Sequence, residues 1–185
     1  MTKTTKYEWQ DVDKAIQTIA MDMYKDTWRP DYIVGITRGG LVPAVMLSHM
    51  TGLPMHTLCV QLAAEGLEEN TESNIWMPED ASSGKRILII DDINRGGDAL
   101  DWIKNDWSQP RGTNNLRWDM IWHQNVKFAS LIMDPNSIVD TDYYYEELDT
   151  ESEISANATT GLLLSGLLKR FESSTGAFLS SISKI

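Results

Sequence analysis

The strongest constraint on this chain is a pattern that occurs twice: an apolar run, a polar turn holding two glycines, then a helix-forming run. Tyr32-Ile-Val-Gly-Ile36 is closed by Thr37-Arg-Gly-Gly40 and followed by Leu41-Val-Pro-Ala-Val-Met-Leu-Ser-His-Met50, where Pro43 is tolerated in the first helical turn. Arg86-Ile-Leu-Ile-Ile-Asp-Asp92 is closed by Asn94-Arg-Gly-Gly97 and followed by a helix-like run from Asp98 to Trp107 with acids in its first turn. Unbroken apolar runs of this length read as strands covered on both faces. Strands alternating with helices predict a mostly parallel sheet joined by crossovers.

The remaining elements fit that frame. Val12, Ile16, Ile19, Ala20 and Met23 recur at helical spacing, which predicts an amphipathic helix over 10–25, ended by Pro30. His56–Val60, Lys127–Met133 and Asp142–Tyr145 read as three further strands. The expectation is an α/β fold: a doubly wound, mostly parallel five-stranded sheet with helices on both faces and a small hood. Residues 61–86 are acidic and show little periodicity, and 108–124 read as a loop or insertion. Composition changes after about residue 153. The expected organisation is one domain over 1–153 and an atypical serine- and leucine-rich segment over 154–185. That segment is either an added helix near 160–171 with a frayed tail, or a tail foreign to the domain.

Charge narrows the function. Lys and Arg number 16 against 27 Asp and Glu, a formal net charge of −11, and no basic cluster offsets it. Nucleic acid and anionic lipid are therefore not expected partners. The longest apolar stretch, Leu162–Leu168, is far below the ~20 residues that cross a bilayer, and Met1–Trp9 has no signal-like apolar run. A cytoplasmic protein without membrane contact is expected. The single Cys59 excludes an internal disulfide and reads as a buried, inert thiol. His49, His56 and His123 are too scattered to suggest a metal site.

The chemistry concentrates in the two turns. In an open parallel sheet, ligands bind beyond the carboxyl ends of the strands, where helix N-termini point free N–H groups outward. Gly39-Gly40 and Gly96-Gly97 let backbone approach an anion closely. Asp91 and Asp92 offer acceptors for sugar hydroxyls and oxygen ligands for magnesium. Two anion cradles flanking an acid pair suit a sugar phosphorylated at both ends. Neither common nucleotide fingerprint, GxxxxGK[ST] or GxGxxG, is present.

Asp31-Tyr-Ile-Val-Gly-Ile-Thr-Arg-Gly-Gly-Leu-Val-Pro-Ala44 resembles the pyrophosphate loop of the type I phosphoribosyltransferase family, nearest its xanthine–guanine branch. Ile87-Leu-Ile-Ile-Asp-Asp-Ile-Asn-Arg-Gly-Gly-Asp-Ala-Leu100 resembles that family's signature for phosphoribosyl pyrophosphate (PRPP). The resemblance spans roughly residues 7–146. It implies transfer of phosphoribosyl from PRPP to a nucleobase, a purine first, with release of pyrophosphate, in a magnesium-dependent homodimer or homotetramer. By the same resemblance Thr37, Arg38, Gly39 and Gly40 hold pyrophosphate. Asp91 and Asp92 take the ribose hydroxyls and magnesium. Asn94 and Arg95 join the PRPP- and phosphate-binding set, the backbone of Gly96, Gly97, Asp98 and Ala99 receives the 5′-phosphate, and residues 62–80 form a flexible active-site loop.

Three departures qualify that reading. Arg95 stands where the family carries a carboxylate that manages the purine proton, and a guanidinium cannot act as a base. Asp134 stands where a lysine usually meets the base oxygen. The aromatic expected beyond residue 150 to stack on the base is absent as Trp or Tyr; only Phe171 and Phe178 remain. A weakly active PRPP- or nucleotide-binding protein of the same fold is the alternative, and an unrelated doubly wound hydrolase a more distant one.

Overall fold

The computed structural model describes residues 7–63, 69–109 and 118–148. Five strands run parallel: β1 (Tyr32–Thr37), β2 (Met55–Gln61), β4 (Ile87–Asn94), β5 (Val126–Met133) and β6 (Tyr143–Glu147). A sixth, β3 (Asn70–Thr71), pairs antiparallel with β2, giving the order β3-β2-β1-β4-β5-β6. The sheet thus has six strands where five are expected from sequence. The extra one is two residues long, too short to show an alternating pattern. A second element hides in the same acidic stretch: α3 (Trp76–Ser82), which buries only Met77 and Ala81.

The three longer helices are α1 (Trp9–Lys25), α2 (Leu41–Thr51) and α4 (Asp98–Trp107). The apolar strands are sandwiched as their composition requires. On one face Val12, Ile16 and Ile19 of α1 and Ala44 and Leu47 of α2 pack on Ile33, Leu88, Ile90 and Ala129. On the other, Met77 and Ala81 of α3 and Leu100, Ile103 and Trp107 of α4 cover Ile87, Ile89 and Phe128. Four strand residues in a row, Ile87–Ile90, are fully buried, so each side chain of that run removes apolar surface from water whichever way it points.

α2 comes down onto β1 at Gly35, where an added Cβ would lie 2.8 Å from the Ala44 Cβ and 2.9 Å from the Gly40 carbonyl oxygen. That proximity brings the first turn of α2 to the carboxyl edge of the sheet.

Away from that edge, Asp26 ties the end of α1 to β5 and β6. It accepts from Lys127 Nζ and, at 2.7 Å, from the Tyr143 hydroxyl. The Lys127 bond, followed by the Tyr143 bond, holds the Asp26 carboxyl below its usual range. A lowered folded pKa gives stability that is present above the unfolded value near 3.9 and is lost as pH falls through the folded one. Asp26→Asn is therefore expected to flatten the acid limb of the stability curve below about pH 4, as read by denaturant midpoints across pH 3–6.

Cys59 is half-buried, with Sγ 3.2 Å from the Asn70 carbonyl oxygen, rather than fully enclosed as expected. It borders β3, the strand missed in the sequence. Among the described residues no helix is long and apolar enough to cross a membrane. The segment 154–185 and the middle of the expected active-site loop, 64–68, lie outside the described residues.

Candidate active site

The order of strands reverses between β1 and β4. From β1 the chain steps outward to β2, whereas β4 lies on its other side and steps to β5. A crevice opens beyond the carboxyl ends at such a switch point. Both glycine turns sit there, because Thr37 ends β1 and Asn94 ends β4.

The turns are adjacent. A Cβ on Gly39 would overlap the Asp92 carboxylate, and one on Gly40 would overlap the Ile90 carbonyl oxygen and approach the Ile36 nitrogen to 2.8 Å. The Gly40 backbone also acts on the Asp91 carboxyl, opposing the upward shift of its pKa. Glycine is needed at 39 and 40 because only a bare Cα leaves room between the first loop and the end of β4. Gly39→Ala forces the Asp92 side chain aside, so it is expected to weaken ligand binding at the crevice about tenfold with little loss of stability. Paired titration and thermal melting of the variant would check both halves.

The two carboxylates are oriented by backbone. The Asp92 N–H donates to Asp91 Oδ1 at 2.9 Å, and the Ile93 N–H donates to Asp92 Oδ1 at 3.0 Å. Burial first, then the negative charge of Asp92, pushes the Asp91 carboxyl well above the ordinary range. Burial raises Asp92 too. Two interacting acids in a desolvated spot titrate as a unit and hold a proton at pH values where free aspartate has none. A cation bound between them would displace it.

Helix ends complete the crevice. Gly40 precedes α2 and Gly97 precedes α4 in the N-cap position, and neither helix has a side-chain cap. The Leu41 N–H donates to the Arg38 carbonyl at 3.3 Å; the other first-turn N–H groups are left for solvent or an anion. Gly97 has φ +89°, a conformation that L side chains rarely adopt. Arg38 and Arg95 are both exposed, one on each turn, and the peptide before Arg38 is cis. Gly96 and Asp98 are exposed and Ala99 is half-buried behind them.

Two residues sit differently from the sequence expectation. Asn94, placed by sequence in the turn, is the last residue of β4 and is 3% exposed. Its amide is directed inward, Nδ2 donating to the Val139 carbonyl at 2.6 Å, so the side chain is engaged within the protein. Asp134 follows β5 at the same edge, but its Oδ1 accepts from the Asn136 backbone N–H at 2.8 Å, closing a turn. Sequence reasoning missed Ser137, whose hydroxyl lies 3.0 Å from Asn94 Oδ1; no motif marks it.

Comparison with known proteins decides the family. The phosphoribosyl transferase domain profile matches residues 5–162.

The chain belongs to the phosphoribosyltransferase family.

The fold agrees. A purine phosphoribosyltransferase from Pyrococcus horikoshii is 24% identical, with a TM-score of 0.57 over 82% of this chain and 95% of that one. A Neisseria gonorrhoeae hypothetical protein with bound ppGpp is 16% identical, at 0.56 over 90% and 98%. A Helicobacter pylori xanthine-guanine-hypoxanthine phosphoribosyltransferase is 14% identical, at 0.52 over 78% and 87%. At these identities the likeness is one of fold. A search of curated protein sequences found no match.

For a member of this family, magnesium is the cation to test against the donor set. Among the described residues no three His, Cys, Asp or Glu side chains converge as a self-contained metal cage. Two adjacent carboxylates do fit an ion that is held by one or two acids, water and substrate phosphates.

Proposed function

We propose that this protein is a purine phosphoribosyltransferase, transferring phosphoribosyl from PRPP to a ring nitrogen of the base and releasing pyrophosphate. The observation that carries the reading is the packing of the Arg38-Gly39-Gly40 turn directly against the Asp91–Asp92 pair at the switch point. Two anion cradles separated by acids match a ribose with phosphate at C5 and pyrophosphate at C1. In this reading Thr37, Arg38, Gly39 and Gly40 receive pyrophosphate, Arg38 through charge-assisted hydrogen bonds. Asp91 and Asp92 accept from the ribose hydroxyls and hold magnesium. The backbone from Gly96 through Asp98 to Ala99 receives the 5′-phosphate, and Asp134 faces the base.

The bond from C1 to pyrophosphate breaks with its electron pair leaving on oxygen, and the bond from ring nitrogen to C1 forms. Positive charge gathers on the sugar between these events. The enzyme's work is to position both partners and to stabilise the leaving group. Bound magnesium would neutralise charge on that leaving group. No carboxylate stands at 95 to receive the proton of the ring nitrogen, which passes to solvent after transfer, once the site reopens. Residues 62–80 would close over the site and exclude water. The domain is taken as 1–153, acting in the cytoplasm as a homodimer or homotetramer. Met21 and Tyr24 of α1 and Val45 and Met50 of α2 supply exposed apolar surface for such an assembly.

A second reading is favoured by one observation. Arg95 is exposed and makes no ion pair among the described residues, so its cation is available for a ligand phosphate rather than for catalysis. The same fold would then be a receptor for PRPP or a nucleotide with little turnover; the N. gonorrhoeae neighbour is described with bound ppGpp. Calorimetric titration with PRPP and magnesium, followed by a conversion assay with adenine, hypoxanthine, guanine and xanthine, separates the two. Binding with nucleotide formation is expected. Binding without product would transfer the conclusion to the receptor, and absence of binding would overturn both.

A further inference from the structure

The carboxyl end of β4 is gripped by a polar clamp. The Asn94 amide donates to the Val139 carbonyl at 2.6 Å. Ser137 Oγ lies 3.0 Å from Asn94 Oδ1 and 2.9 Å from the Val139 carbonyl oxygen, and it accepts from the Val139 N–H at 3.3 Å. Backbone bonds run alongside: the Asp134 N–H to the Asn94 carbonyl at 2.8 Å and the Ile138 N–H to the Gly96 carbonyl at 3.0 Å. Gly97 presses so closely on this segment that a Cβ there would lie 2.6 Å from Ser137 Oγ and 2.8 Å from the Val139 nitrogen.

A buried amide at the end of an apolar strand costs desolvation that a leucine or valine would avoid. What it provides is geometry, because a satisfied polar network admits one arrangement where apolar packing admits several. The segment it fixes is the turn from Arg95 to Gly97. That turn has a left-handed glycine and leads into a helix with no side-chain cap, so it has little of its own to hold its shape.

The geometry points to Ser137 and Asn94 as positioning residues that hold the Arg95–Gly97 turn in its phosphate-receiving form through their side chains, which do not touch the ligand. The inference rests on the reading that this turn receives the 5′-phosphate. It assigns a role to Ser137 and an inward, second-hand role to the Asn94 side chain.

The test compares two probes that occupy different cradles, ribose 5-phosphate and inorganic pyrophosphate, each with magnesium. Ser137→Ala is expected to weaken ribose 5-phosphate about tenfold, the size of one lost hydrogen bond, while leaving pyrophosphate affinity within twofold. Ser137→Thr, which keeps the hydroxyl, restores the first affinity. Should Ser137→Ala fail to fold, the isosteric Asn94→Asp removes the amide donor and is expected to show the same selective loss. Equal weakening of both probes, or no change in either, would overturn the proposal while leaving the site reading intact. Failure of the parent protein to bind ribose 5-phosphate would instead remove the site reading and this proposal together.

Discussion

Asp91→Asn combined with Asp92→Asn is expected to give a protein that melts at a higher temperature than its parent and no longer holds PRPP tightly with magnesium. Both carboxyls are raised above the ordinary range, chiefly by burial. An acid whose folded pKa exceeds its unfolded value near 3.9 keeps in the folded state a proton that the unfolded chain has released. Its contribution to stability is therefore greatest at low pH and declines as pH rises through the folded value. Asparagine keeps an oxygen to accept the Asp92 and Ile93 N–H groups and has no proton to lose. The gain in melting temperature should accordingly grow between pH 5 and pH 8. The same change removes both anionic oxygens from the cation, a loss of roughly 10- to 100-fold in metal-dependent affinity or more. Melting curves at the two pH values and a PRPP titration would show both effects in one preparation. Unchanged affinity would mean that ribose and metal are held elsewhere.

Arg95→Asp is the second large expectation. A carboxylate on the exposed turn of β4 and α4 lies beside the crevice and can take a proton from the incoming ring nitrogen, which a guanidinium cannot. General-base assistance of this kind is worth about 10²–10⁴ in rate. Steady-state kcat with the four purines should rise on that order for the base that this site accepts. A fall in kcat together with a weaker Kd for PRPP would show that Arg95 serves as a phosphate ligand, and would move the conclusion to the receptor reading.

Why the glycine turns were legible in sequence, and Ser137 was not, has a physical basis. Gly39, Gly40 and Gly97 are required by backbone geometry and steric contact, which few other residues satisfy, so composition exposes them. The apolar runs of β1 and β4 and the Asp91–Asp92 pair stand out because burial on two faces followed abruptly by charge is uncommon. β3 and α3 escaped because two paired residues and one buried i, i+4 pair carry no periodic signal above the acidic residues around them. The position of Asn94 was misjudged for a related reason: an asparagine before Arg-Gly-Gly has the composition of a turn. Its place inside β4 depends on Val139 and Ser137, more than 40 residues away, and such long-range pairing leaves no local trace. Asp134 follows β5 directly, as its place after the Lys127–Met133 run implies, but its tie to Asn136 is a turn contact that only coordinates reveal.

The close seating of α2 on Gly35 carries an evolutionary corollary. Positions 35 and 44 share one small volume beside the Gly40 carbonyl, so neither can enlarge unless the other shrinks or the helix lifts away. In divergent descendants of this sequence those two sites should change in concert, and a lone methyl gained at 35 would be felt first in the shape of the Thr37–Gly40 turn rather than in the middle of the strand.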